Sequence, residues 1–194
     1  LFVFYSLKTF YSNYQEELLD TTIKQINQNI IEKTTQYLMP ATVLAESSSK
    51  LIQSNVLNPK NTNQMESYLI TQLTIFPQLS KMYHADESGH FIMVYRNNEK
   101  GLSTKIIDPN SKKAAIKQYN GLGHLIKHEK EKNMYDARKR SWYTGAKSPE
   151  LNYWTDLYIF YTGKIPGITA SFPIFNQQQT FLGAFGVDVE LSKI

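Results

Sequence analysis

Apolar residues recur at helical spacing from Gln15 to about Asn55, at Leu19, Ile23, Ile26, Ile30, Tyr37, Leu38, Ala41, Leu44, Ala45, Leu51 and Ile52, and the interval contains no glycine. This pattern predicts one long amphipathic helix. At 1.5 Å per residue it runs on the order of 60 Å, more than a domain of this size needs for its own core, so part of it is expected to project as a stalk or lie along a partner. Pro40 stands in its middle and is expected to kink or break it. A polar connection, Asn58 to Asn63, leads to a second predicted helix from Gln64 to Thr74. Its apolar side carries Met65, Tyr68, Leu69 and Leu73, and Pro77 follows its end.

Beyond Pro77 the texture changes to short alternating runs. Leu79 to Tyr83, His90 to Tyr95 and Ser103 to Asp108 read as strands, the first two joined by the turn former Asp86-Glu87-Ser88-Gly89. Residues 111 to 133 read as a lysine-rich helical excursion broken at Asn120-Gly121-Leu122-Gly123. Leu157 to Tyr161, Ile168 to Asn176 and Thr180 to Leu191 read as three further strands, with turns at Lys164 to Gly167 and Asn176 to Gln179. The expected class is α+β, a long N-terminal helix packed on an antiparallel sheet. Residues 1–57 form the stalk or dimerisation helix in this reading, and residues 58–194 the sheet module.

Composition changes this picture little. A chain of 194 residues that is 41% hydrophobic and 20% charged is long enough for one domain and a stalk. The net charge of +4 is scattered among acids, as in Glu129-Lys130-Glu131-Lys132, and forms no stripe that would track a phosphate backbone, so no nucleic-acid partner is expected. The absence of cysteine excludes disulfides, thiolate metal sites and a cysteine nucleophile. Thirteen Tyr, ten Phe and two Trp are spread along the chain and suit rings lining a pocket or covering a sheet. The opening run Leu1-Phe2-Val3-Phe4-Tyr5 is far shorter than the roughly 20 apolar residues that span a bilayer. With Phe10, Tyr11 and Tyr14 it reads either as the outer end of a spanning helix with an interfacial belt or as an ordinary helix start with exposed rings.

Motifs for catalysis are weak. His124 and His128 are four apart with Glu131 beyond, a spacing that can hold a metal, but the stretch is charge-rich and has no Glu between the histidines, so it reads as a solvated helix face. Gly121-Leu122-Gly123 lacks the further glycine of a dinucleotide loop. No Gly-x-Ser-x-Gly elbow or phosphate loop is present, and no local pair of acids stands out. No enzyme activity, metal or cofactor is expected. The densest constellation is Tyr135-Asp136-Ala137-Arg138-Lys139-Arg140-Ser141-Trp142-Tyr143-Thr144-Gly145-Ala146. A guanidinium fork suits a carboxylate, and flat rings with a polar tip make pocket walls. The residues alone slightly favour Trp142 and Tyr143 as core, with Arg138, Lys139 and Arg140 in solvent.

The stretch Tyr135 to Ala146, then Trp154-Thr155-Asp156-Leu157-Tyr158, Gly167-Ile168-Thr169-Ala170-Ser171-Phe172-Pro173-Ile174, and Leu182-Gly183-Ala184-Phe185-Gly186-Val187-Asp188-Val189 resembles the membrane-distal module of double Cache sensor domains. The similarity covers roughly Gln64 to the end. It implies a PAS-like antiparallel sheet carried on a long helix, outside the membrane, as the periplasmic sensing part of a membrane-anchored receptor such as a chemoreceptor, histidine kinase or cyclic-nucleotide enzyme. A membrane-proximal module would follow Leu191 to Ile194 in such a protein. The implied partners are a small-molecule ligand (organic acid, amino acid or amine) and a second copy paired through the long helix. The alternative is a ligand-free structural or dimerising module.

The resemblance also assigns ligand-binding positions to Tyr135, Arg140, Trp142, Tyr143, Tyr158 and Asp188, with Arg140 and Trp142 at a carboxylate and Asp188 at an amino group. Phe160 departs from that pattern, which has an acid at this place. A ligand ammonium would lose an acceptor worth about 1.5 to 3 kcal/mol. Asp156, expected on the same sheet face as Phe160, is the available substitute.

Overall fold

The computed structural model describes residues 2–97, 101–111, 113–132, 135–147 and 153–193. Helix α1 runs Phe2–Gln53 and α2 Thr62–Ile75. Strands β1 (Leu79–Asp86), β2 (Phe91–Arg96), β3 (Leu102–Ile107), β4 (Lys113–Tyr119) and β5 (Leu125–Lys132) follow. A 3-10 turn (Ala137–Lys139) and the short helix α3 (Ser141–Ala146) precede β6 (Tyr153–Trp154), β7 (Tyr158–Ile159), β8 (Pro166–Phe175) and β9 (Phe181–Glu190).

The chain divides into two compact units, Leu1–Leu38 and Met39–Ile194. The first is helix alone, and its apolar positions Leu19, Ile23, Ile26 and Ile30 are exposed. The second begins inside α1, where Ala41, Leu44, Ala45, Ser48, Ser49 and Ile52 are all buried. The helix continues through Pro40, so the local break allowed for there does not form. The proline lacks only the N–H that would have bonded the Gln36 carbonyl.

Strand order is β5-β4-β3-β2-β1-β9-β8-β6, with β7 also on β8, and every pairing is antiparallel. Alternation along the strands gives the sheet two faces. Met82, Ile92, Val94, Val187 and Val189 face Met65, Leu69 and Leu73 of α2 and the buried end of α1, where Ser49 Oγ donates to the Phe172 carbonyl (3.3 Å). Asn61 caps α2, accepting from the Gln64 N–H at 3.1 Å. Glu66 ties α2 to β3 and β4, accepting from Thr104 Oγ1 (2.6 Å), Lys117 Nζ (2.5 Å) and Tyr119 OH (2.8 Å). Burial pushes this carboxyl up, yet the three donors prevail and hold it below the usual range. Burial and the Glu66 carboxylate together push the Tyr119 hydroxyl up to about 12.

Residues 113–132 form a hairpin, not the helical excursion the lysine content suggested. Ala114 and Ile116 bury alternate positions against β3, and the Asn120 side chain closes the turn by accepting from the Leu122 and His124 N–H groups (both 3.0 Å). The outer strand β5, Leu-Ile-Lys-His-Glu-Lys-Glu-Lys, is exposed almost throughout, and its alternating charges are those of a sheet edge guarded against further pairing. His128 therefore lies on a strand and His124 in its turn, so they share no helix face. The strand expected at Leu157 to Tyr161 shrinks to Tyr158–Ile159. A turn at 161–163 follows, and β8 already begins at Pro166 within the expected Lys164 to Gly167 turn.

His84 sits in β1 opposite Ile92 and Phe185 on the helix-facing side, and burial drives its imidazole down to about 4. An unfolded histidine takes up a proton near 6.5, so between 6.5 and about 4 the unfolded chain holds more protons and stability falls as pH falls. Urea unfolding at pH 7 and pH 5 is expected to show this as a loss of about 2 kcal/mol from this residue. In His84→Leu the same pH step should cost correspondingly less.

Candidate ligand-binding site

The opposite face of the sheet carries a cavity of about 120 Å³. Its floor is set by cross-strand register. Lys81 of β1, Asp188 of β9 and Thr169 of β8 are direct neighbours across three strands, and Tyr83, Gly186 and Ser171 form the next row. Asp188 is buried, and its Oδ1 accepts from Thr169 Oγ1 (2.7 Å) and from the Tyr83 hydroxyl. Lys81 Nζ lies 3.4 Å from Oδ2. Tyr158 OH bonds Thr169 Oγ1 at 2.7 Å, which extends the network to β7. Burial pushes the Asp188 carboxyl up, and Lys81 and the two hydroxyls work against that rise. The hydroxyls of Tyr83 and Tyr158 are pushed up as well, by burial first and then by the Asp188 carboxylate.

The roof comes from the segment after β5. Asp136 caps the 3-10 turn, accepting from the Arg138 N–H (3.1 Å), and its two oxygens clasp the Arg138 guanidinium at 2.9 and 3.0 Å. Ser171 Oγ donates to the Trp142 carbonyl at 2.8 Å and pins α3 to the sheet. The Trp142 ring packs 4.7 Å from Tyr83, and its Nε1 donates to Tyr135 OH at 3.3 Å. Burial pushes the Tyr135 hydroxyl up; the Trp142 and Arg140 donors oppose this. Arg140 is half-buried, its guanidinium 5.0 Å from the Tyr135 ring centre and 4.7 Å from that of Tyr161. Such stacking fixes the plane of the fork. Among the described residues no carboxylate forms an ion pair with Arg140.

Of the six positions assigned by resemblance, Tyr135, Arg140, Trp142, Tyr158 and Asp188 line this one cavity. Tyr143 does not. It is wholly buried beside it, with its hydroxyl donating to Glu87 Oε1 (2.6 Å) and its ring edge-on to Phe181. Phe160 does line the cavity. Its ring stands edge-on to Tyr158 with Lys81 Nζ 3.6 Å from its centre, in space that only a glycine at 167 leaves, since a Cβ there would lie 2.3 Å from the ring. Asp156 is exposed outside the strands and is not in the cavity wall, so it does not replace the acid. The shortness of β7 is the reason, because strand alternation does not reach back to residue 156.

Lys81, Tyr83, Lys105, Tyr161 and Thr169 also contribute to the cavity or its network, and the sequence reading did not single them out. One signal was present. In Leu79-Ser80-Lys81-Met82-Tyr83 a lysine shares a face with a tyrosine in a short strand of otherwise uncharged residues, which is unusual unless a buried acid faces it. Lys105 lines the wall too, with its Nζ 2.6 Å from Glu131 Oε1.

A nine-stranded antiparallel sheet with helices on one face and a ring-and-cation cavity on the other defines a PAS-like sensor module. Residues 11–194 match the family model described as methyl-accepting chemotaxis protein-like, first PDC sensor domain, and the chain belongs to that family. Among solved structures it is similar to the ligand-binding domain of the Pseudomonas fluorescens chemoreceptor CtaA in complex with L-serine. There the TM-score is 0.62 at 21% identity, over 91% of this chain and 61% of that one. It is also similar to the ligand-binding domain of Mlp24 with asparagine (0.57, 22%, 92% and 60%). A third is the ligand-binding domain of the Campylobacter jejuni chemoreceptor Tlp3 in complex with 4-methylisoleucine (0.54, 16%, 86% and 55%). The chain spans about 60% of the length of the first two and 55% of the third. No curated protein sequence matches it.

Proposed function

We propose that this chain is the extracytoplasmic ligand-sensing module of a membrane-anchored, chemotaxis-type receptor, and that it binds a small carboxylate-bearing molecule between the sheet and the Tyr135 to Tyr143 segment. The observation that carries this reading is Arg140, a stacked guanidinium at a cavity wall with no acid of the described chain paired to it. Tyr135, Trp142, Tyr158 and Asp188 form the rest of the site, and Tyr143 supports it from behind. Membership of the sensor family and the solved neighbours, which hold L-serine and asparagine, support the ligand class in general terms. Residues 58–194 carry recognition in this account, and the helical residues 1–57 carry the signal.

The module binds without converting its ligand. The acid lining the cavity, Asp188, is committed to Lys81, Tyr83 and Thr169, while the histidines lie elsewhere: His84 behind the sheet, His90 beside the β1–β2 turn, and His124 and His128 at the outer hairpin. Among the described residues no proton-transfer pair is thereby presented to a bound molecule.

Two experiments test the reading. Thermal-shift screening of organic acids, amines and amino acids is expected to give carboxylate hits. In Arg140→Ala their affinity should fall about 10- to 100-fold with the unliganded melting temperature nearly unchanged, and in Arg140→Lys by an intermediate amount because charge is kept and the fork is lost. Indistinguishable behaviour of Arg140→Ala across the whole screen would sink the proposal. The exposed stripe Leu19, Ile23, Ile26 and Ile30 further supports pairing with a second copy. Sedimentation of the chain should show a dimer that Ile26→Lys weakens, and an unchanged mass distribution counts against it.

A further inference from the structure

The charges around the cavity are unevenly matched. Among the described residues its lining holds four cations, Lys81, Lys105, Lys139 and Arg140, against the single lining carboxylate of Asp188; Lys105 is paired outside the lining with Glu131 (2.6 Å), and the ion pairs leave Lys139 and Arg140 without an acid. They also stand on different walls. Arg140 and Lys139 belong to the roof segment, whereas Lys81 and Lys105 rise from the sheet that forms the floor. Asp188 is the acceptor a ligand ammonium would need, yet an ammonium already stands there: Lys81 Nζ is 3.4 Å from Oδ2, and Oδ1 holds the Thr169 and Tyr83 hydroxyls. The neighbouring wall position is the apolar ring of Phe160, whose face is turned to the same lysine at 3.6 Å.

We infer that Lys81 fills the cation subsite from within, so that the cavity selects small anions lacking an amino group, above all dicarboxylates, with one carboxylate on Arg140 and the other towards Lys81. This rests on the carboxylate-binding reading of the same cavity and names its ligand class. A ligand ammonium brought to Asp188 meets like charge from Lys81 in a partly desolvated site, a contact that works against binding by several times RT. A second carboxylate placed there meets opposite charge. The amino acids named for the solved neighbours are thus the wrong chemistry for this chain, although the fold is shared.

The test uses pairs that differ only by the amino group: succinate against L-aspartate, and propionate against L-alanine, titrated calorimetrically into the chain as it is. Succinate is expected to bind best, and each amino acid at least about 10-fold more weakly than its partner, from the like-charge contact. In Lys81→Met, which keeps the apolar stem, succinate should lose about 10-fold and the gap to L-aspartate should close or reverse, with circular dichroism reporting that the fold persists. If L-aspartate or L-alanine binds wild-type chain as tightly as its des-amino partner, the inference is overturned while the carboxylate reading stands. Absence of binding by all four compounds overturns both. The wild-type comparison decides the matter even where Lys81→Met fails to fold.

Discussion

A carboxylate buried at the centre of the sheet is the constraint around which this module is arranged. Leaving a charge unpaired in such a place costs about 3 to 5 kcal/mol, and Asp188 is 2% exposed. Each of its partners comes from a different place in the register: Lys81 opposite on β1, Thr169 opposite on β8, Tyr83 two residues along β1, and Tyr158 through Thr169 from β7. The three central strands are thereby locked in one alignment, and a slip by one residue would turn every member of the set to the helix-covered face. Gly186 is part of the same solution, because a Cβ there would lie 2.2 Å from the Tyr83 ring that reaches across it. The cavity floor is a consequence of this network.

The two faces of the sheet join the cavity to the helices. Cavity-facing residues alternate along β1, β8 and β9 with residues that pack on α2 and on the buried end of α1. Lys81 and Tyr83 flank Met82, and Ser171 neighbours Phe172, whose carbonyl takes the Ser49 hydrogen bond. A ligand shifts such a system only through its different affinity for two arrangements. The element placed to have two is the Tyr135 to Ala146 segment, held to the sheet by the hydrogen bond from Ser171 and the packing of Trp142 on Tyr83.

Much of this was legible in the sequence. The glycine-free run with 3.6-residue spacing marks α1, the alternating runs mark β1, β2, β3, β8 and β9, and the Tyr135 to Ala146 constellation marks the roof. Three features were not. The Lys- and Glu-rich β4–β5 hairpin has helix-favouring composition, and its strand geometry comes from pairing with β3, a tertiary effect that local propensity does not carry. The role of Lys81 depends on a neighbour 107 positions later, brought opposite by register alone. Tyr143, read as a pocket wall, turns out to anchor α3 through Glu87, because the helical turn Ser141–Ala146 points neighbouring residues 142 and 143 in different directions.

The most direct test is a crystal structure of the chain with its tightest-binding carboxylate. The account predicts density in the cavity between β1, β9 and the Tyr135 to Tyr143 segment, with carboxylate oxygens within hydrogen-bonding distance of the Arg140 guanidinium. A ligand bound elsewhere, or a cavity closed by the chain's own side chains with Arg140 turned to solvent, would contradict it.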